Sequence, residues 1–135
     1  MLVLDTSVLV YASGDEHPLR EPAIRLLRDV VAARVSATTT PEVLQEYAHV
    51  RARRRDRNNA LAQVERFAGL LAPLTLVTAR DVLEGLRVWS QTEPLGAFDS
   101  VVAAVAMTRG WSAVSSDQGF GSVSGLKWVD LSQYS

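Results

Sequence analysis

Leu2, Val3 and Leu4 form the first apolar run, and from there hydrophobic and polar positions alternate between two periods to the end of the chain. Short continuous apolar runs bounded by polar or glycine residues read as buried strands. Apolar positions spaced three and four apart read as amphipathic helices. Strands are predicted at 2–4 (LVL), 35–38 (VSAT), 74–78 (LTLVT), 112–116 (SAVSS) and 126–131 (LKWVDL). Helices are predicted at 7–14, ended by Gly14, and at 17–34, where positions 23, 24, 27, 30 and 31 are apolar. The segment TTPEVLQEYAHVRARRR is a third helix, with Thr40 as N-cap, Pro41 at the first helical position and Val43, Leu44, Tyr47 and Val50 on the apolar face. Further helices are expected at 58–72, capped by Asn58 or Asn59, at 79–91, and at 97–110, closed by Gly110. Short buried strands alternating with helices imply right-handed crossovers and a parallel sheet. No internal repeat or low-complexity linker interrupts the pattern.

One residue breaks the first apolar run. Asp5 follows the first strand, and a buried aspartate needs a partner. Either it caps the helix that starts near Ser7, or it stands at the rim of the sheet, outside the carboxyl ends of the strands, where ligands of parallel sheets bind. Four more acids bear on the choice. Glu46 lies three residues after Val43 and four before Val50, so it borders the buried stripe of its helix. Glu42 lies one turn earlier on the same side, and its place in the first helical turn already suits the helix dipole. Glu46 is therefore the principal candidate and Glu42 an auxiliary one. Asp99 starts a helix whose Ala103, Ala104 and Ala106 permit close approach to the sheet. Asp117 follows a strand, with Ser115 and Ser116 placed to orient a water or a carboxylate. Each acid has an ordinary reading as well: a half-buried surface glutamate, a helix cap, a turn residue. Their joint placement carries more weight, since two follow strands and two lie on helices expected at the same sheet edge. Four carboxylates converging there would repel one another and raise pKa values unless a cation intervened.

Composition narrows the chemistry. A chain of 135 residues suits one domain with a full core. There is no cysteine, hence no disulfide and no zinc–thiolate site. His17, before Pro18, and His49, in mid-helix, read as surface or packing residues. Oxygen-only ligation points to Mg²⁺ or Mn²⁺. Such ions suit phosphodiester hydrolysis, where they activate a water and stabilise the leaving oxygen. No Ser–His or Cys–His arrangement offers a nucleophile instead. No apolar run approaches the ~20 residues of a membrane span, and the start lacks a signal-peptide pattern, so a cytoplasmic location is expected.

The blocks LVLDTSVLV, EVLQEYAHV, AFDSVVAAVA and AVSSDQGF, in that order along nearly the whole chain, resemble the four motifs of PIN-domain ribonucleases, particularly the VapC-type toxins of bacterial toxin–antitoxin pairs. The resemblance implies a single domain over 1–135, a three-layer α/β/α sandwich around a mostly parallel sheet of about five strands. It implies that Asp5, Glu46, Asp99 and Asp117 are catalytic and bind Mg²⁺ or Mn²⁺, and that Ser115 is the small hydroxyl residue before the last acid. It further implies RNA cleavage, a homodimer, and inhibition by a small cognate antitoxin. The alternative is a PIN-like module without catalysis that holds RNA or a protein. Four retained acids count against it, because a binder of polyanions gains nothing from a bare acidic pocket. Haloacid-dehalogenase-like phosphatases would need an acid where Ser7 stands, and receiver domains an aspartate after the third strand and a later lysine, of which only Lys127 exists.

Charge adds one more candidate surface. The net charge is −1, yet RARRRDR at 51–57 holds five arginines and one aspartate. Dipole compensation at a helix end accounts for two or three of them. Arg51, Arg53, Arg54 and Arg55 are therefore candidate contacts to RNA phosphates, with docking of an acidic antitoxin segment as the competing use. Trp89, Trp111 and Trp128 sit in or beside apolar elements and read as core or dimer interface rather than as base-stacking platforms.

Overall fold

A computed structural model describes residues 1–135. Its strands are β1 (Leu2–Leu4), β2 (Ala37–Thr38), β3 (Ser112–Ser115) and β4 (Lys127–Asp130). Its helices are α1 (Thr6–Ser13), α2 (Arg20–Val31), α3 (Pro41–Arg54), α4 (Arg57–Leu70), α5 (Ala79–Gln91) and α6 (Ala97–Arg109). The strands form one parallel sheet in the order β2-β1-β3-β4, flanked by the six helices. From β1 the chain goes outward to β2 and then returns past β1 to β3. The carboxyl ends of β1 and β3 therefore meet where the winding direction reverses, the place at which open parallel sheets leave a crevice.

Val3, Leu4, Ala113 and Val114 are fully buried in the sheet, between Val8 and Leu9 of α1 and the alanine face of α6. Ala103, Ala104 and Ala106 bury almost completely, and their small side chains let α6 lie close to β1 and β3, as expected. α5 in turn lies close on α6. A Cβ on Gly85 would stand 2.7 Å from the Cα of Val101, so only glycine fits there. Asp81 near the start of α5 takes a two-pronged bond from Arg109 at the end of α6, with both N–H···O distances 3.0 Å.

Several helix ends follow the sequence. Thr40 Oγ1 accepts the Val43 N–H at 3.1 Å, with Pro41 at the first helical position. Gly110 ends α6 at φ +70°, in the left-handed region that favours glycine. Others differ. α2 begins at Arg20, because His17 to Leu19 form a turn around Pro18. α4 is capped by Asp56, whose Oδ1 accepts the Asn59 N–H at 2.7 Å, rather than by Asn58 or Asn59. The stretch 74–78 is not a strand, so the sheet has four strands, not five. Its neighbour β2 is only two residues long. Contact with that edge is reduced to one backbone bond, Thr75 N–H to Thr39 O at 2.9 Å, and the bonds of the Thr38 hydroxyl to Pro73 O at 3.0 Å and to the Thr75 hydroxyl at 3.2 Å. No helix is long and apolar enough to cross a membrane.

Candidate active site

The register of β1 on β3 builds the centre of the site. Leu4 lies opposite Val114, and the Asp5 N–H continues the ladder to Val114 O at 3.0 Å. Asp5 and Ser115 thereby emerge side by side. Asp5 is 4% exposed and occupies the position preceding α1, yet its side chain caps nothing. Its Oδ2 accepts from Ser115 Oγ at 2.7 Å and from Ser7 Oγ at 3.3 Å, while its Oδ1 is buried with no partner. Of the two readings of Asp5, the rim acid is the one this geometry supports.

Ser115 and Ser7 stitch the two strand ends together. Ser115 Oγ also accepts the Asp117 N–H at 3.0 Å, and Ser7 Oγ accepts the Ser116 N–H at 3.1 Å. Ser7 was not singled out from the sequence. Its signal is the hydroxyl two residues after Asp5, which acquires meaning only once β3 is known to lie alongside. Asp117 keeps its ordinary role too, since its Oδ1 accepts the Gly119 N–H at 2.8 Å and opens the short 3₁₀ turn at Gln118–Ser122.

The remaining acids come from helices. Asp99 lies in the first turn of α6, one turn from Gly96, which holds the cap position. Burial, followed by the charges of Asp5, Glu46 and Asp117, pushes the Asp99 carboxyl up to about 7. Glu46 keeps much of its surface exposed, but loss of water in the cleft and then the Asp5 charge raise it above the ordinary glutamate value. Burial also raises Asp5, with the Asp117 charge adding in the same direction and bonds from Ser115 opposing it. Glu46 and Asp99 are raised partly by Asp5, and Asp5 and Asp99 partly by Asp117, so the four acids stand in one electrostatic neighbourhood. Glu46, Asp99 and the auxiliary Glu42 line a cleft of about 650 Å³ together with Gln45, His49 and Phe98.

This donor set fits a hard divalent cation. Every donor is oxygen, one carboxylate oxygen is buried without a partner, and the mutual repulsion is what a cation relieves. No three acidic or imidazole side chains are already drawn into a ligand cage. Mg²⁺ needs none, because it commonly keeps several waters and binds through one or two carboxylates.

The basic run divides. Arg51 is buried, with Nε donating to Asn59 Oδ1 at 2.8 Å and Nη1 to the Ser13 carbonyl at 2.8 Å. It ties α1, α3 and α4 together and cannot present its guanidinium to a phosphate, which corrects the expectation for this residue. Arg53, Arg54, Arg55 and Arg57 are exposed, and Arg55 pairs with Asp15 at 3.3 Å. Trp128 packs against the core, with Nε1 donating to Ser115 O at 3.2 Å, Trp111 is half-buried, and Trp89 is 48% exposed.

Comparison with known proteins accords with this geometry. A sequence model of the PIN domain matches residues 2–126. Ribonuclease VapC7 of Mycobacterium tuberculosis is 45% identical over 134 residues, covering 96% of this chain and 90% of the relative. Ribonuclease VapC23 of the same organism is 31% identical over 112 residues, covering 82% and 86%. Among solved structures, the M. tuberculosis toxin VapC20, described as cleaving the sarcin–ricin loop, superposes with a TM-score of 0.77 at 18% identity, covering 94% of this chain and 98% of that one. A DNA-bound VapBC complex from Salmonella typhimurium gives 0.74 at 18% identity, with 96% and 97% covered. Matched along nearly its whole length by both family model and relatives, the chain belongs to the PIN-domain family, in its VapC ribonuclease branch.

Proposed function

We propose that this chain is a metal-dependent endoribonuclease and the toxin of a toxin–antitoxin pair, its 135 residues forming a single nuclease domain. The observation that carries the reading is the buried, half-satisfied Asp5 carboxylate among acids that raise one another's pKa. Asp5, Glu46, Asp99 and Asp117 are the residues that would hold Mg²⁺ or Mn²⁺, with Glu42 auxiliary. When bound, the metal supplies Lewis-acid activation of a water and stabilisation of the leaving oxygen. Ser115 and Ser7 orient Asp5 by fixing one of its oxygens, which leaves the other buried and without a partner. The raised Asp99 carboxyl keeps or releases a proton near neutrality according to whether positive charge stands beside it. Arg53, Arg54 and Arg55 contact RNA phosphates in this reading.

The proposed partners follow the same physics. A small antitoxin bound in the cytoplasm would mask the site, and an acidic cleft favours one that inserts a basic side chain. Solved VapBC complexes superpose on this fold, which supports a partner of that kind. A homodimer is supported by α5, which leaves Val82, Leu83, Leu86 and Trp89 exposed.

The test is incubation of purified chain with RNA under Mg²⁺, Mn²⁺ or EDTA. Cleavage is expected to need metal and to vanish in Asp5→Asn, whose circular dichroism stays native. Binding without cleavage under either metal would instead establish a non-catalytic binding module.

A further inference from the structure

Phe98 has the most exposed large apolar side chain in the molecule, with 80% of its surface open. Packing does not account for it. It precedes Asp99 in the first turn of α6 and walls the cleft that holds Asp99 and Glu46. The opposite wall is one face of α3, on which Glu42, Gln45, Glu46 and His49 follow at helical spacing. The ring also borders an apolar hollow of about 370 Å³ with Val77, Val82, Leu86 and Val101, but the cleft itself differs from the core of a protein-docking surface, which is depleted in charge, because the ring shares it with three carboxylates. It also differs from a phosphate site, because Glu42 and Glu46 would repel a second anion that no metal neutralises. A neutral, flat group with a π face and hydrogen-bonding edges meets all these conditions.

We infer that Phe98 is a stacking platform for a nucleobase next to the scissile phosphate, with Gln45 and His49 contacting the edge of that base. This inference rests on the proposed ribonuclease reading and adds how that site holds its substrate. Single-stranded RNA bases are held in this way, by an aromatic face and polar side chains at the base edge. Gln45 offers both a donor and an acceptor, and the His49 ring offers an N–H donor.

Cleavage of an RNA oligonucleotide is compared with that of oligonucleotides abasic at each nucleotide flanking the cut, using the full chain and Mg²⁺. Phe98→Ala is expected to lower kcat/KM on intact RNA roughly ten-fold, chiefly through KM, and Phe98→Tyr to retain it. One abasic oligonucleotide should be cut equally by wild type and Phe98→Ala, since the base that the ring would hold is gone. Gln45→Ala and His49→Ala should change the ratio of rates on oligonucleotides differing in that base. An equal loss on intact and all abasic substrates overturns the inference, as does a shift of Phe98→Ala to a smaller sedimenting species, which would place the ring in a chain–chain interface. Unchanged base ratios in both edge variants remove the edge contacts. Binding of RNA carrying 2-aminopurine with Ca²⁺ in place of Mg²⁺ separates this inference from the activity. If wild type cuts no RNA, the ribonuclease reading fails, while quenching by wild type that is lost in Phe98→Ala still supports the platform. Absence of quenching overturns it.

Discussion

Asp5 is a carboxylate kept out of water with one oxygen satisfied and the other not, and its neighbours share the discomfort. Asp5, Glu46 and Asp99 all have carboxyls raised by folding. The folded chain therefore holds protons that the unfolded chain has already lost, and metal-free stability falls as pH rises through the window between the ordinary Asp99 value of 3.8 and its folded value of about 7. Asp81, held down to about 2 mainly by Arg109, acts with the opposite sign but only in more acidic solution. Melting in EDTA between about pH 5 and pH 8 should show a declining Tm, a decline that Asp99→Asn largely removes and Mg²⁺ reverses at the upper end. An identical flat profile in both proteins would refute this. Ser115→Ala should cost about 1–3 kcal/mol in urea unfolding, because Oδ2 of Asp5 loses its shortest bond and the Asp117 N–H its acceptor. A change within error would mean that water replaces the hydroxyl without penalty. Asp5 was legible in the sequence because it interrupts an apolar run. Ser7 and the unpartnered oxygen were not, because both depend on a register set by residues more than a hundred positions away.

Among elements, α6 decides where Asp99 stands, and α5 decides where α6 stands. Alanine on one side of α6 and Gly85 opposite the other leave little free volume. Gly85→Ala should destabilise by about 1–3 kcal/mol from overpacking, reduced by up to about 1 kcal/mol of improved helix propensity. Chemical denaturation measures the balance, and a net stabilisation would show that the two helices can separate at no cost. The start of α3 and the end of α6 were readable from Thr40, Pro41 and Gly110, because caps are local chemistry. LTLVT was misread for the converse reason. Alternating β-branched residues favour an extended backbone, but a strand needs a partner edge, and two-residue β2 offers almost none. The placement of the four acids on their elements was legible, because strand ends, helix starts and the border of an apolar helix face are all visible in sequence. The fate of Arg51 was not, since nothing local distinguishes the one arginine that turns inward toward Ser13 and Asn59.

Over the whole molecule, a net charge of −1 conceals two opposed surfaces, the acidic cleft and the exposed arginines at the junction of α3 and α4. Binding of single-stranded RNA by an Arg53→Ala, Arg54→Ala, Arg55→Ala variant should lose about 2 from the slope of log K against log salt. Arg51→Ala should leave the slope unchanged and lower the Tm instead. The reverse pattern would place the RNA track elsewhere. One further consequence comes from the bridge between Ser115 and Asp5, which spans 110 residues of chain. During synthesis Asp5 leaves the ribosome early, and the strand that brings its hydroxyl partner leaves late. A nascent chain therefore carries most of its acids long before the last of them can join, and it should remain harmless to the messenger being translated until its final quarter is free to fold.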